Sequence, residues 1–203
     1  MKILVITARF PPDHLGGYGL RIKEIMDGLF ERGHKIEVLT SVSDRRGTIE
    51  NQSSAYPVHR KLHDRSQARF FPKEVLFDLI DTKFIDKRVK KYEPAIIYLG
   101  HFYNLSKAIL PYLGDLNIPI VLDEGGSGLI GAWTENGRWF RFTGSYRSKY
   151  PFLNWLKPFV VEIVCLLGHG RIKRQWQMPE NIHVIFNSNS NYIRTLSRGV
   201  PQQ

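Results

Sequence analysis

Three small groups of residues in this chain have types and spacing suited to chemistry. Gly16, Gly17 and Gly19 follow the apolar run Lys2 to Thr7 and stand immediately before an amphipathic stretch. Glycine lets backbone N–H groups approach a ligand closely, and a helix start adds partial positive charge, so an anion such as diphosphate is favoured there. The same glycines also suit a tight turn that lets a helix pack. Arg9 and His14 lie in the same loop, within reach of a phosphate. The second group, Asp123 and Glu124, follows the run Pro119 to Leu122 and leads into Gly125-Gly126. Carboxylates in that position either orient a hydroxyl and balance developing charge, or are spent on capping a helix or satisfying a loop. The third group, His101, Tyr103 and Asn104, follows Ala95 to Leu99 and is either a set of ligand contacts or part of the structure. Ser188 and Asn189 read as a helix cap.

The elements that must position these groups alternate between strands and helices, which predicts a parallel sheet covered on both faces. The first strand is Lys2 to Thr7, whose continuous Ile-Leu-Val-Ile suits burial on both sides. Pro11-Pro12 and Gly16-Gly17 break the chain, and a helix of about Tyr18 to Arg32 follows, with Ile22, Ile25, Met26, Leu29 and Phe30 in one stripe. Gly33 stands where a left-handed cap is expected. Further strands are predicted over Lys35 to Thr40, Val58 to Leu62, Ala95 to Leu99, Pro119 to Leu122 and His183 to Phe186. Helices are expected over Phe71 to Tyr92, Leu105 to Leu113, Phe159 to Gln177 and Asn191 to Ser197, with Gly168 and Gly170 as candidate breaks. In such a sheet, ligands gather beyond the carboxyl ends of the strands, where all three groups fall.

Composition narrows the classes. With 203 residues, 42% hydrophobic and 12% aromatic, the chain is long and apolar enough for one large domain with a real core. No run reaches the roughly 20 apolar residues of a membrane span, and the start lacks a signal-peptide pattern. A single cysteine, Cys165, excludes an internal disulfide and fits a reducing compartment, so a soluble cytoplasmic protein is expected. The net charge of +10 attracts polyanions without choosing among them. The first loop lacks both G-x-G-x-x-G and the Walker lysine motif, which argues against a dehydrogenase, an epimerase or a nucleotide triphosphatase. The histidines and the cysteine show no metal-ligand spacing, and no nucleic-acid-binding module is visible.

The order of strand, Phe10-Pro11-Pro12, Gly16-Gly17, amphipathic helix, Arg32-Gly33-His34 and second strand resembles the opening of the group-1 (family 4) glycosyltransferases. Pro94 before Ala95 to Leu99, Ile118-Pro119 before Ile120 to Leu122, and Phe186-Asn187-Ser188 fit the same order. The resemblance is strongest over the first forty or so residues and loosest over 41–72 and 125–179. It implies a Rossmann-like α/β domain with a mostly parallel sheet, the N-terminal, acceptor-side domain of a GT-B fold. A C-terminal domain that binds the nucleotide sugar would lie outside residues 1–203. It further implies a retaining transfer from a nucleotide-diphosphate sugar to a hydroxyl of a glycan or lipid-linked acceptor, with no metal and no other cofactor. The isolated domain would be inactive.

Carried over on that resemblance, Gly16, Gly17, Gly19 and Arg9 would face the donor diphosphate. His14, Tyr18, His101, Tyr103 and Asn104 would face the acceptor. Asp123 and Glu124 stand where members of the family often carry a histidine, and this departure leaves the catalytic assignment to those two carboxylates open. Between Trp133 and Trp155, aromatic residues mix with Arg138, Arg141, Arg147 and Lys149, and Arg171-Ile172-Lys173-Arg174 follows. That mixture suits stacking on sugar rings, peripheral contact with an anionic membrane, or a solvated basic face over an aromatic cluster. The alternative to an enzyme half is a non-catalytic Rossmann-like module that docks on an anionic membrane or a partner.

Overall fold

The computed structural model describes residues 1–12, 17–41, 54–68, 70–124, 137–144, 151–176 and 178–197. Six strands form one sheet: β1 (Lys2–Thr7), β2 (Lys35–Ser41), β3 (Val58–Leu62), β4 (Ile96–Leu99), β5 (Ile120–Glu124) and β6 (Ile182–Phe186). Their order is β3-β2-β1-β4-β5-β6 and every pairing is parallel. This is the Rossmann-like α/β arrangement, and the strand order reverses between β1 and β4, the position at which open α/β sheets bind ligands.

The apolar runs bury alternate residues on opposite faces, as a pleated strand requires. Ile3 and Val5 of β1, with Ile36, Val38 and Tyr98, pack under α1 (Gly17–Glu31) through Ile22 and Met26. Leu4 and Ile6, with Leu39, Ile97, Leu99, Ile120 and Leu122, pack under α2 (Phe71–Tyr92) and α3 (Ile109–Gly114). A second apolar layer joins α2 to α4 (Gly137–Thr143) and α5 (Pro151–Gly168) through Val75, Trp139, Phe140 and Val164. The last helix, α6 (Asn189–Ser197), rests on β6, with Tyr192 against Phe186 at 5.4 Å between ring centroids.

Helix α1 ends as its sequence predicts. Gly33 takes φ +83°, its N–H donates to the Phe30 carbonyl at 2.8 Å, and the His34 N–H donates to Leu29 at 3.1 Å. That pair of bonds satisfies the last carbonyls of the helix.

Several boundaries differ from the sequence expectation, most by one or two residues, and three of them have a specific cause or a large shift. The helix foreseen over Leu105 to Leu113 spans only Ile109–Gly114. The Ser106 hydroxyl accepts from the Ala108 N–H at 3.1 Å and donates to the buried Asp78 carboxylate, and such a local bond competes with helix formation. Strand β5 runs on through Glu124, because Asp123 and Glu124 find register partners in Ile185 and Phe186 of β6. The helix expected from Phe159 begins at Pro151, continues through Pro158 and ends at Gly168, where His169 and Gly170 take positive φ.

Candidate functional site

The carboxyl ends of β1, β4 and β5 converge on the start of α1. The Gly100 N–H donates to the Ile6 carbonyl at 2.9 Å and the Ala8 N–H donates to His101 at 2.8 Å, which ties the exits of β1 and β4 together. A Cβ on Gly100 would lie 2.5 Å from Ile22 Cδ1 and 3.1 Å from Thr7 Oγ1, so only glycine lets α1 sit this close to both strands. Arg60 of β3 holds the incoming loop by donating to the carbonyls of Phe10 at 3.0 Å and Pro11 at 2.5 Å.

At the helix start Gly17 is exposed, and a Cβ built there would meet nothing within 4 Å. The first turn carries no acidic side chain, so its partial positive charge is not met by a carboxylate of its own. Gly19 is buried beneath that turn. Gly16 and His14 lie outside the described residues.

Asp123 is the hub of the edge. Its carboxylate is buried and accepts from the Tyr98 hydroxyl at 2.6 Å and from the Arg21 guanidinium at 3.1 Å. Its backbone carbonyl accepts from the Tyr18 hydroxyl. Three elements, α1, β4 and β5, are therefore locked by one aspartate. Burial, then the Asp123 carboxylate, pushes both tyrosine hydroxyls well above their ordinary pKa, so they stay protonated and donate to Asp123. Replacing Arg21 with Met is expected to lower stability by about 2 kcal/mol, because a buried carboxylate loses its cation. That estimate is held down by Arg21 being 38% exposed and already screened by water. Urea unfolding measures it, and a loss under 0.5 kcal/mol would show that the pair contributes nothing to holding the edge.

His101 is half-buried beside Tyr18, their ring centroids 5.5 Å apart. Burial, then the neighbouring Arg9, holds its pKa below the usual imidazole value, so the ring is neutral at pH 7 and can accept as well as donate a hydrogen bond. Arg9 is committed to Asp64 at 2.5 Å, and Asp64 in turn accepts from the Ser66 N–H at 2.9 Å. Asn104 meets the same segment through its backbone, its carbonyl accepting from the Arg65 N–H at 2.9 Å. Tyr103 is exposed, with the Lys107 ammonium 6.0 Å from its ring and bonded to its carbonyl at 3.0 Å. Glu124 is buried at the end of β5.

The fold thus gathers Gly17, Tyr18, His101, Asp123 and Glu124 at one edge, and places Arg9 with Asp64 beside them. Sequence reasoning missed Arg21, Tyr98 and Asp64. Tyr98 carried a signal, a hydroxyl-bearing residue in the otherwise aliphatic Ile96–Leu99 strand. Arg21 carried one as well, a cation one turn past Gly17. Among the described residues, no three His, Cys, Asp or Glu side chains group as metal ligands would.

No protein-family model matches the chain, and no curated protein matches it. Among solved structures it is similar to sucrose-phosphate synthase from Thermosynechococcus elongatus, with 13% identity, 81% of this chain covered and a TM-score of 0.49. It is also similar to the catalytic domain of starch synthase IV from Arabidopsis thaliana bound to ADP and acarbose, with 15% identity, 61% covered and a TM-score of 0.45. The matched region spans 40% and 33% of the length of those two chains, respectively.

Proposed function

We propose that the chain is the acceptor-side half of a retaining glycosyltransferase of the GT-B type. In this reading a nucleotide-diphosphate sugar lies between this domain and a second domain outside residues 1–203, and its sugar passes to a hydroxyl of a glycan or lipid-linked acceptor. The observation that carries the reading is the start of α1. An exposed glycine, at which an added Cβ would meet nothing within 4 Å among the described residues, opens a helix whose first turn holds no carboxylate, at the point where the strand order reverses. Such a helix start favours the diphosphate. The motif order around it, Phe10-Pro11-Pro12 through Arg32-Gly33-His34, supports the same assignment.

Tyr18 and the neutral His101 form the surface offered to the acceptor, and Asn104 and Tyr103 border it. Glu124 places negative charge against the positive charge that develops on the sugar ring as the diphosphate leaves, and Asp123, whose carboxylate is taken by Tyr98 and Arg21, contributes only the charge that this pairing leaves. Arg9 reaches the diphosphate only by sharing its charge with Asp64.

Calorimetric titration with UDP- and GDP-sugars tests the reading. The product of the complete gene should bind one of them, whereas the 203-residue chain alone should bind none measurably. Submicromolar affinity in the isolated chain would overturn the half-site arrangement, because a single wall of a cleft cannot supply both halves of the diphosphate contacts.

A further inference from the structure

Helix α5 presents the wrong chemistry to water. It rests on α2 and α4 by one edge, where Val164 is buried and Val161 and Cys165 are partly so. The opposite side carries Phe152, Trp155, Phe159, Ile163, Leu166 and Leu167, all 56–68% exposed. The first five follow steps of three and four residues, so they line a single stripe roughly 20 Å long. From Phe152 to Val160 every described side chain except Lys157 is exposed. Surface helices ordinarily turn polar residues outward, and a contiguous apolar stripe of this length marks an interaction surface.

The charge around the stripe identifies the partner. Residues 137–176 hold eight Lys and Arg against one acid, Glu162, which is +7 of the chain's +10. Arg138, Arg171 and Lys173 reach back to Glu74, Asp86 and Asp115. Lys157 stands on α5 itself, Arg141 is exposed on α4, and the exposed Arg174 pairs with Glu162 and cancels the one negative charge on the helix. Arg147 and Lys149 precede α5 in sequence. A second copy of the chain would bring the same positive rim against itself, which like-charge repulsion disfavours. An anionic bilayer satisfies both halves of the pattern, with lipid phosphates for the cations and the acyl boundary for the aromatic and aliphatic side chains. Among the described residues no helix is long and apolar enough to cross a membrane, so the arrangement is one of lying in the interface.

We infer that α5 is an interfacial docking helix that seats this domain on an anionic membrane surface through its Phe152 to Leu167 face. The inference stands independently of the reading of the α1 site. The test is co-sedimentation of the chain with vesicles of equal parts phosphatidylglycerol and phosphatidylcholine, and with phosphatidylcholine alone. Binding should favour the anionic vesicles by at least about tenfold, weaken in high salt, and fall at least about tenfold in the double variant Trp155→Ser/Phe159→Ser. Both side chains are exposed, so the variant should keep its circular dichroism and melting temperature. If it does not fold, Phe152→Asp supplies the same readout from the end of the helix. Unaltered binding by a folded variant would overturn the proposal, as would equal affinity for neutral vesicles. A lipid-free dimer dissolved by the same substitutions, with no vesicle binding, would assign the face to a second copy and overturn it too.

Discussion

Replacing Gly17 with valine is expected to weaken nucleotide-sugar binding by roughly tenfold to a hundredfold in the complete gene product, with no loss of stability. The magnitude follows from losing one hydrogen bond between a backbone N–H and a charged phosphate, about 1.5–3 kcal/mol. The argument for unchanged folding is specific to this position. A Cβ on Gly17 meets nothing within 4 Å, and the residue is exposed in the first turn of a regular helix. Alanine at the same place should raise helix stability slightly, since glycine in a helix costs about 0.5–1 kcal/mol relative to alanine. An intermediate affinity for alanine would then order the series by bulk alone. Calorimetry of the three proteins beside their melting temperatures reads both quantities. If valine leaves donor affinity untouched, the diphosphate does not approach this loop. That result would remove the diphosphate role while leaving the membrane inference intact.

The second large effect concerns a buried acid away from the candidate site. Asp78 of α2 is buried, and loss of solvent pushes its pKa up to about 7 from an ordinary 3.8. The Ser106 hydroxyl, donating at 2.5 Å, and the Arg65 charge oppose that shift, while Glu74 and Asp81 add to it. The folded chain therefore keeps this proton to near neutrality, whereas the unfolded chain loses it near pH 4. Folding binds a proton throughout that window, so the contribution of Asp78 to stability falls as pH rises from about 4 to 7. The total is on the order of 4 kcal/mol. Asp81 is shifted in the same direction by burial, against the pull of His63, and adds the same sign of dependence. Asp78→Asn keeps an acceptor for Ser106 and abolishes the titration, so the variant should be the more stable protein at pH 8 and close to wild type at pH 4. Urea unfolding at pH 4, 6 and 8 gives the comparison. Parallel stability profiles for the two proteins would show that Asp78 ionises normally.

Much of this architecture is legible in the chain itself, for a reason visible in particular elements. The runs Lys2 to Thr7 and Val58 to Leu62, and the helix Phe71 to Tyr92, lie where the apolar pattern puts them. Each is dictated by local periodicity, and tertiary packing only confirms it. Boundaries fail where a distant residue intervenes. Leu105 has helical spacing, yet the bond from Ser106 to Asp78, 28 positions away, delays the helix to Ile109. Asp123 and Glu124 read as the first residues of a loop, and only their pairing with β6 makes them strand. The helix is expected only from Phe159, yet it begins at Pro151 and takes Pro158 inside, on an exposed side that loses little by accommodating it.

The glycine loop, the order of the elements and the excess of positive charge are properties of the sequence alone, because spacing, periodicity and composition are local quantities. They were enough to predict a parallel sheet and an anion-friendly start to α1. Which groups meet is a property of the tertiary structure. That Asp123 spends its carboxylate on Tyr98 and Arg21, that Arg9 is tied to Asp64, and that His101 lies beside Tyr18 are contacts across 25 to 102 positions. The outward face of α5 belongs to the same class. Its apolar residues are plain in the sequence, but an apolar helix of that kind is ordinarily buried, and only the packing of Val164 against α2 and α4 decides which side is left to meet a partner.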